Sequence, residues 1–263
     1  MNRIVLFDMD GTLTEPREAM QENMVASITN LLEKSEVGIV TGSDIDYVFQ
    51  QCKILIENKY IDKTKLHLFP CNGTKVYKWN ASTSSYENVY AVDMINKLGQ
   101  DAYNTILSSC LRYQSCISSA HSLPYTGTFF HYRGSMLNWC PIGRSAKSGE
   151  RLLWVEEDEQ HKIRDHYLSL LVRDINNADI PVTVALGGST SFDIYPAGWD
   201  KTYVTKHLQD YDMLFIGDKC TGTGNDKTLY DMLQPENSRE TASPSMTIDL
   251  IERIRMQFWF EGK

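Results

Sequence analysis

The chain has 263 residues, a formal net charge of −8 and 42% hydrophobic residues, enough apolar material for one large or two modest packed domains. The acidic balance argues against nucleic acid or an anionic membrane as the main partner, because counterion release needs clustered cations. Six cysteines without a C-x-x-C pair (Cys52, Cys71, Cys110, Cys116, Cys140 and Cys220) fit reduced thiols better than a disulfide or zinc framework. An early first strand and the lack of any apolar run of transmembrane length predict a cytoplasmic protein.

In chain order, the apolar run Ile4-Val5-Leu6-Phe7 predicts a buried strand that passes directly into Asp8-Met9-Asp10-Gly11-Thr12. Residues two apart on an extended backbone face the same way, so Asp8 and Asp10 address one small volume. Two such carboxylates make sense around a cation, and magnesium with a phosphate is the natural pairing. An Asp-x-Asp alone also fits any strand that runs into a turn. Thr14 is a plausible N-cap for a helix that starts with Glu15, Pro16 and Arg17 and runs to about Lys34. Val37-Gly38-Ile39-Val40 predicts a second strand, followed by Thr41-Gly42-Ser43-Asp44 and a helix from about Ile45 to Gln51. Far downstream, Met213-Leu214-Phe215-Ile216 with Gly217-Asp218 repeats the pattern.

The stretch between has a different texture. It holds a hairpin over about 76–90, a helix over 92–113, aromatic strand-like runs at 127–133 and 135–140, a charged helix over 156–176, and strands at 181–185 and 191–195. The whole predicts an α/β fold: a doubly wound, parallel-sheet core (1–90 with 197–263) into which an α+β module (91–196) is inserted. Chemistry then belongs at the carboxyl ends of the core strands. The polar tracts 80–85 and 234–245 are expected to be surface loops. The six histidines show no metal-ligand spacing, and Trp139, Trp154 and Trp259 are expected in a core or an interface.

Phe7-Asp8-Met9-Asp10-Gly11-Thr12-Leu13-Thr14 resembles the first motif of the haloacid dehalogenase-like (HAD) phosphotransferases. Phe215-Ile216-Gly217-Asp218 with Gly224-Asn225-Asp226 resembles their metal-binding fourth motif. More narrowly, Pro141-Ile142-Gly143-Arg144-Ser145, Ser191-Phe192-Asp193 and Gly198-Trp199-Asp200-Lys201 resemble the eukaryotic-type phosphomannomutases over nearly the whole chain. That resemblance implies Asp8 as nucleophile and Asp10 as acid and base. It places magnesium on the Asp8 carboxylate, the Asp10 backbone carbonyl and Asp218, with Lys201 neutralising Asp8. A carboxylate approaching a phosphate dianion meets about 2 kcal/mol of repulsion at 4 Å in water and about 8 kcal/mol at an effective dielectric of 20, so such cations are required.

Thr41 and Ser43 are both candidates for a hydroxyl donor to the phosphoryl group; the mutases carry Gly-Gly-Ser-Asp where this chain has Thr41-Gly42-Ser43-Asp44, which is closer to related sugar phosphatases. The resemblance further makes Arg17, Arg133, Arg144 and Arg151 phosphate-binding arginines, whose planar forks suit a phosphate, with Ser191 and Asp193 reaching sugar hydroxyls. It implies interconversion of mannose 6-phosphate and mannose 1-phosphate for GDP-mannose synthesis, with a hexose 1,6-bisphosphate as activator. A homodimer through the cap is also implied, to which the helix around Ile106, Leu107 and Leu111 could contribute. For a second cation, Met232 and Pro235 stand where oxygen ligands are expected, beside Asp231. The rival readings are a HAD-type sugar-phosphate phosphatase and a non-catalytic phosphosugar-binding protein.

Overall fold

A computed structural model of the chain describes residues 2–233 and 236–261, with side chains through residue 257. The chain forms two compact units, 1–91 with 199–263, and 92–198.

The first unit carries strands β1 (Asn2–Phe7), β2 (Glu36–Val40), β3 (Leu66–Phe69), β4 (Lys75–Asn80) and β5 (Ser85–Ala91), and helices α1 (Glu22–Leu32), α2 (Ile45–Gln51) and α3 (Lys53–Ile56). The second unit holds α4 (Met94–Leu98), α5 (Gln100–Ala120), β6 (Phe130–Tyr132), β7 (Leu137–Trp139), α6 (Ser148–His161), α7 (Ile163–Asn177), β8 (Val182–Gly187) and β9 (Ser191–Pro196). The chain then returns to the first unit with β10 (Tyr211–Gly217), α8 (Lys227–Leu233), β11 (Ser238–Glu240) and α9 (Pro244–Glu261).

The first unit's sheet has the order β11-β10-β1-β2-β3-β4-β5. The five strands from β11 to β3 are parallel, whereas β4 and β5 add an antiparallel edge. The alternation of β1 explains two cores. Val5 and Phe7 pack with Met24, Ile28 and Ile251 on one face. Ile4 and Leu6 pack with Phe69, Val204, Phe215 and Leu229 on the other. Burying both faces requires apolar residues at every position of the central strands, which is why they read as continuous hydrophobic runs. From β1 the chain moves outward to β2 and β3, and later returns to β10 on the opposite flank. The carboxyl end of β1 is thus a topological switch point, where open α/β sheets bind ligands.

The second unit is a four-stranded antiparallel sheet, β6-β7-β9-β8, with its helices. Trp139 and Phe192 stack at 4.5 Å between ring centroids in its interior, and Trp154 is fully buried there. Helix α5 buries Ile106, Cys110 and Ile117 and leaves Leu111 exposed. Among the described residues no helix is long and apolar enough to cross a membrane.

Several expected boundaries move. The first helix begins at Glu22, not near Glu15. Thr14 does not cap it: its hydroxyl bonds Gln51 Oε1 at 2.7 Å, and its backbone closes the Asp10 loop. The helix expected over 92–113 is two helices divided at Gly99 (φ 89°), and the charged helix is likewise divided at Lys162, which adopts a left-handed conformation (φ 52°). The tract 234–245 contains β11 and the first two residues of α9. Pro235 and the Trp259 side chain lie outside the described residues.

Candidate active site

Three adjacent strands end in polar residues: β1 in Asp8, β2 in Thr41 and β10 in Asp218. The Asp8 amide donates to Ile216 O at 3.0 Å, so the register of β1 against β10 fixes where the carboxylate stands. Gly11 (φ 86°) turns the chain directly below Asp218; a Cβ there would collide with that carboxylate.

Lys201 follows Asp200, whose carboxylate caps a short 3-10 turn at Lys201–His207 by accepting the Thr202 amide at 2.9 Å. The lysine is completely buried and its ammonium donates to both Asp8 Oδ1 and Asp226 Oδ1. Asp226 Oδ2 accepts the Lys219 amide at 3.0 Å, which folds the loop after β10 back on itself. Gly217 leaves the room this needs, since a Cβ there would lie 2.6 Å from Asp226 Oδ2.

Carboxylate oxygens of Asp8, Asp218 and Asp226 lie within 4.8 Å of one another. Burial, reinforced by the charge of Asp226 and opposed by Lys201, pushes the Asp8 carboxyl up to about 8. Burial likewise raises Asp218 to about 6. For Lys201 burial works downward, but Asp226 and Asp8 outweigh it and hold the amine charged. One ammonium among three carboxylates leaves an excess of negative charge. The Asp218 Oδ1 atom is buried with no hydrogen-bond partner among the described residues. An uncompensated carboxylate oxygen facing two others fits a hard divalent cation, which prefers carboxylate ligands.

Asp10 is placed differently. Its Oδ1 accepts the Arg17 amide at 2.9 Å and the Gln51 side-chain amide at 3.2 Å, outside the three-carboxylate group. The Arg17 backbone is left-handed (φ 67°), and its guanidinium donates to the Tyr47 hydroxyl at 2.7 Å. The buried Thr41 hydroxyl accepts the Ser43 amide at 3.1 Å, leaving its O–H to donate. Asp44 caps α2 and pairs with Lys75 at 2.8 Å.

In the second unit, Arg133 is buried and its guanidinium lies 3.7 Å from Asp193 Oδ1. Asn138, opposite Asp193 in the β7–β9 register, donates to the same oxygen at 2.7 Å and accepts from Arg144 at 2.9 Å. Arg133, Asp193, Asn138 and Arg144 therefore form one polar network. Arg151 stands apart and donates to Thr190 Oγ1 at 2.6 Å. Ser191 and Asp193 share a face of β9 two residues apart, both half-buried. Sequence reasoning assigned no role to Asp226, although its motif was visible eight residues beyond Asp218. It missed Asn138 and Thr190, which carry no local signal. Asp231 pairs with Lys227, and Met232 is exposed beside it.

A carboxylate at the switch point, a buried lysine and two further acids on a doubly wound sheet define a HAD-like phosphotransferase. Solved structures agree on the fold. *Plasmodium falciparum* IMP-nucleotidase, truncated at its N-terminus, superposes with a TM-score of 0.68 at 16% identity, over 96% of this chain and 70% of that one. The C-terminal domain of *Candida albicans* trehalose-6-phosphate phosphatase does so with 0.62 at 15%, over 97% and 93%.

The family follows from sequence: residues 24–257 match the eukaryotic phosphomannomutase model. The phosphomannomutase of *Drosophila melanogaster* is 34% identical over 236 residues, covering 86% of this chain and 85% of its own. That of *Saccharomyces cerevisiae* is 33% identical over 259 residues, covering 95% and 93%, and that of *Encephalitozoon cuniculi* 35% over 232, covering 87% and 84%. The chain belongs to the eukaryotic phosphomannomutase family.

Proposed function

We propose that this chain is a phosphomannomutase, interconverting mannose 6-phosphate and mannose 1-phosphate and so supplying the sugar 1-phosphate for GDP-mannose synthesis. The observation that carries the reading is Lys201, sealed from water between Asp8 and Asp226 and beside the unpartnered Asp218 oxygen, in a chain of this family.

Asp8 attacks phosphorus, and the bond from phosphorus to the sugar oxygen breaks as Asp10 gives that oxygen a proton. The phospho-Asp8 enzyme, first charged by a hexose 1,6-bisphosphate, passes its group to one end of a monophosphate. Asp10 takes the proton of the attacking hydroxyl in that step, and gives it to the sugar oxygen at the other end as Asp8 takes back the group there. Lys201 holds the Asp8 carboxylate in place and offsets its charge throughout. Thr41 and Ser43 are the proposed hydroxyl donors to the phosphoryl oxygens. The carboxylates of Asp8 and Asp218, with Asp226 behind them and the Asp10 carbonyl as the resemblance implies, would hold magnesium. When bound, magnesium supplies the positive charge that the cluster lacks.

Arg133, Arg144 and Arg151, with Arg17 from the first unit, are assigned to the phosphate that is not being transferred, and Ser191 and Asp193 to sugar hydroxyls. The Asn138 network prealigns two of these arginines, which lowers the ordering cost of gripping an anion. A homodimer through the second unit belongs to the same reading; sedimentation at twice 30.1 kDa supports it and a monomer refutes it.

The test is a coupled assay on mannose 1-phosphate with magnesium, with and without glucose 1,6-bisphosphate. Bisphosphate-dependent formation of mannose 6-phosphate is the expected result. Free mannose and inorganic phosphate as the main products would overturn it in favour of a phosphatase, and no turnover would favour a binding protein.

A further inference from the structure

Gln51 is the last residue of α2, 2% exposed, and it reaches the Asp10 loop from a different segment of the chain. Its Nε2 donates to Asp10 Oδ1 at 3.2 Å, its Oε1 accepts from the Thr14 hydroxyl at 2.7 Å, and its backbone carbonyl accepts the Met20 amide at 2.8 Å. The orientation of this amide follows from chemistry. Asp10 Oδ1 already accepts the Arg17 amide, so the NH2 end must face this acceptor oxygen, and Thr14 must then be the donor to Oε1. Gln51 is thereby locked at three points. Buried polar groups tied this way are expensive to rearrange, since each unmade bond leaves an unsatisfied atom.

Both donors to Asp10, the Gln51 side chain and the Arg17 amide, fall on Oδ1. Oδ2 remains open. We propose that Gln51, oriented by Thr14, is a positioning residue that pins Asp10 Oδ1 and so assigns the proton transfer to Oδ2. This rests on the reading of Asp10 as the acid and base of the mutase. In one half-reaction the Oδ2–H bond breaks as the sugar oxygen takes the proton and its bond to phosphorus breaks. In the other, a sugar hydroxyl returns a proton to Oδ2 as its oxygen bonds phosphorus. Gln51 gives up no proton in either step.

A purely structural glutamine and a positioning one differ in leaving-group dependence. A sugar alkoxide needs a proton to leave, whereas the phenolate of 4-nitrophenyl phosphate does not. The experiment compares Gln51→Met with wild type in the magnesium-loaded full chain, using two phosphoryl donors. Mannose 1-phosphate with glucose 1,6-bisphosphate should show kcat reduced by about 100-fold, the scale of an ångström-size misplacement, with KM changed by less than about twofold because the ground-state grip is intact. The first-turnover burst of nitrophenolate, which forms phospho-Asp8 before any step needs Asp10 as base, should keep the wild-type rate, so the ratio of the two rates falls by the same factor.

Equal losses with both donors, or no loss with either, would overturn the proposal. If the methionine variant does not fold, Thr14→Val and Thr14→Ser decide. The valine should lower the sugar-to-aryl rate ratio and the serine, which keeps the hydroxyl, should restore it; the same ratio in both refutes the role. A wild type that releases free mannose instead would refute the mutase reading, while the rate ratio would still judge Gln51 on that hydrolysis.

Discussion

Lys201 shows how much one side chain can carry. Removing a single partner from a buried ionic group leaves uncompensated charge, so Lys201→Met should cost about 3–5 kcal/mol in urea unfolding and abolish phosphoryl transfer. Asp8→Asn should abolish turnover for a different reason. It removes the proposed nucleophile, and above about pH 8, where that carboxyl would otherwise ionise, it also relieves the excess charge, so at about pH 9 the metal-free variant should melt above the metal-free wild type in calorimetry.

The carboxyls of Asp8 (about 8) and Asp218 (about 6) lie above the ordinary value of 3.8. Between about pH 4 and about pH 8 these two carboxyls therefore hold more protons in the metal-free folded chain than in the unfolded chain, and the stability they contribute falls as pH rises. Magnesium competes with those protons. Its stabilising shift in Tm should consequently be larger near pH 8 than near pH 6, and titration calorimetry at the lower pH should record proton release on binding.

At the scale of elements, legibility followed the physics of burial. Central strands buried on both faces must be apolar throughout, so β1, β2 and β10 were readable, and so were the polar residues at their carboxyl ends. Asp8, Asp10, Thr41 and Asp218 could be placed at those ends for that reason. The arginines and Asp193 were readable only through the family resemblance, and their network was not readable at all, because it depends on Asn138 lying opposite Asp193 across two strands. The start of α1 was misjudged because Thr14 spends its hydroxyl on Gln51, a contact 37 residues distant. Gly99 was a visible helix breaker. Lys162 was not, since nothing in a lysine announces a left-handed backbone.

That conformation costs a non-glycine residue about 1–2 kcal/mol, partly offset in glycine by entropy. Lys162→Gly should thus stabilise the α6–α7 junction by about 0.5 kcal/mol in chemical denaturation. Gly38 is the opposite case. In β2 its missing Cβ would lie 2.6 Å from Leu6 Cδ2 and 2.8 Å from Phe69 Cε2. Gly38→Ala should overpack the sheet and lower stability by about 1–3 kcal/mol, read from the same denaturation curves.

For the whole molecule, all six cysteines are free, and Cys116 alone among them is exposed. A chromogenic disulfide reagent should modify one thiol in the native protein and six after unfolding, and reducing agents should leave Tm unchanged. The two units also divide the proposed labour: the first moves the phosphoryl group, and the second recognises the rest of the sugar phosphate.

Asp8 and Lys201 are 193 residues apart in the chain. A ribosome adding about 5–20 residues per second would need on the order of 10–40 s to get from one to the other. During that interval every strand of the β6-β7-β9-β8 sheet has been synthesised, while β10, which fixes the Asp8 backbone, has not. The nascent polypeptide therefore carries its proposed nucleophile early and unsupported, and the ammonium that secures it arrives among the first residues after the insertion. Birth order alone keeps the Asp8–Lys201 cluster unassembled until the inserted unit is complete.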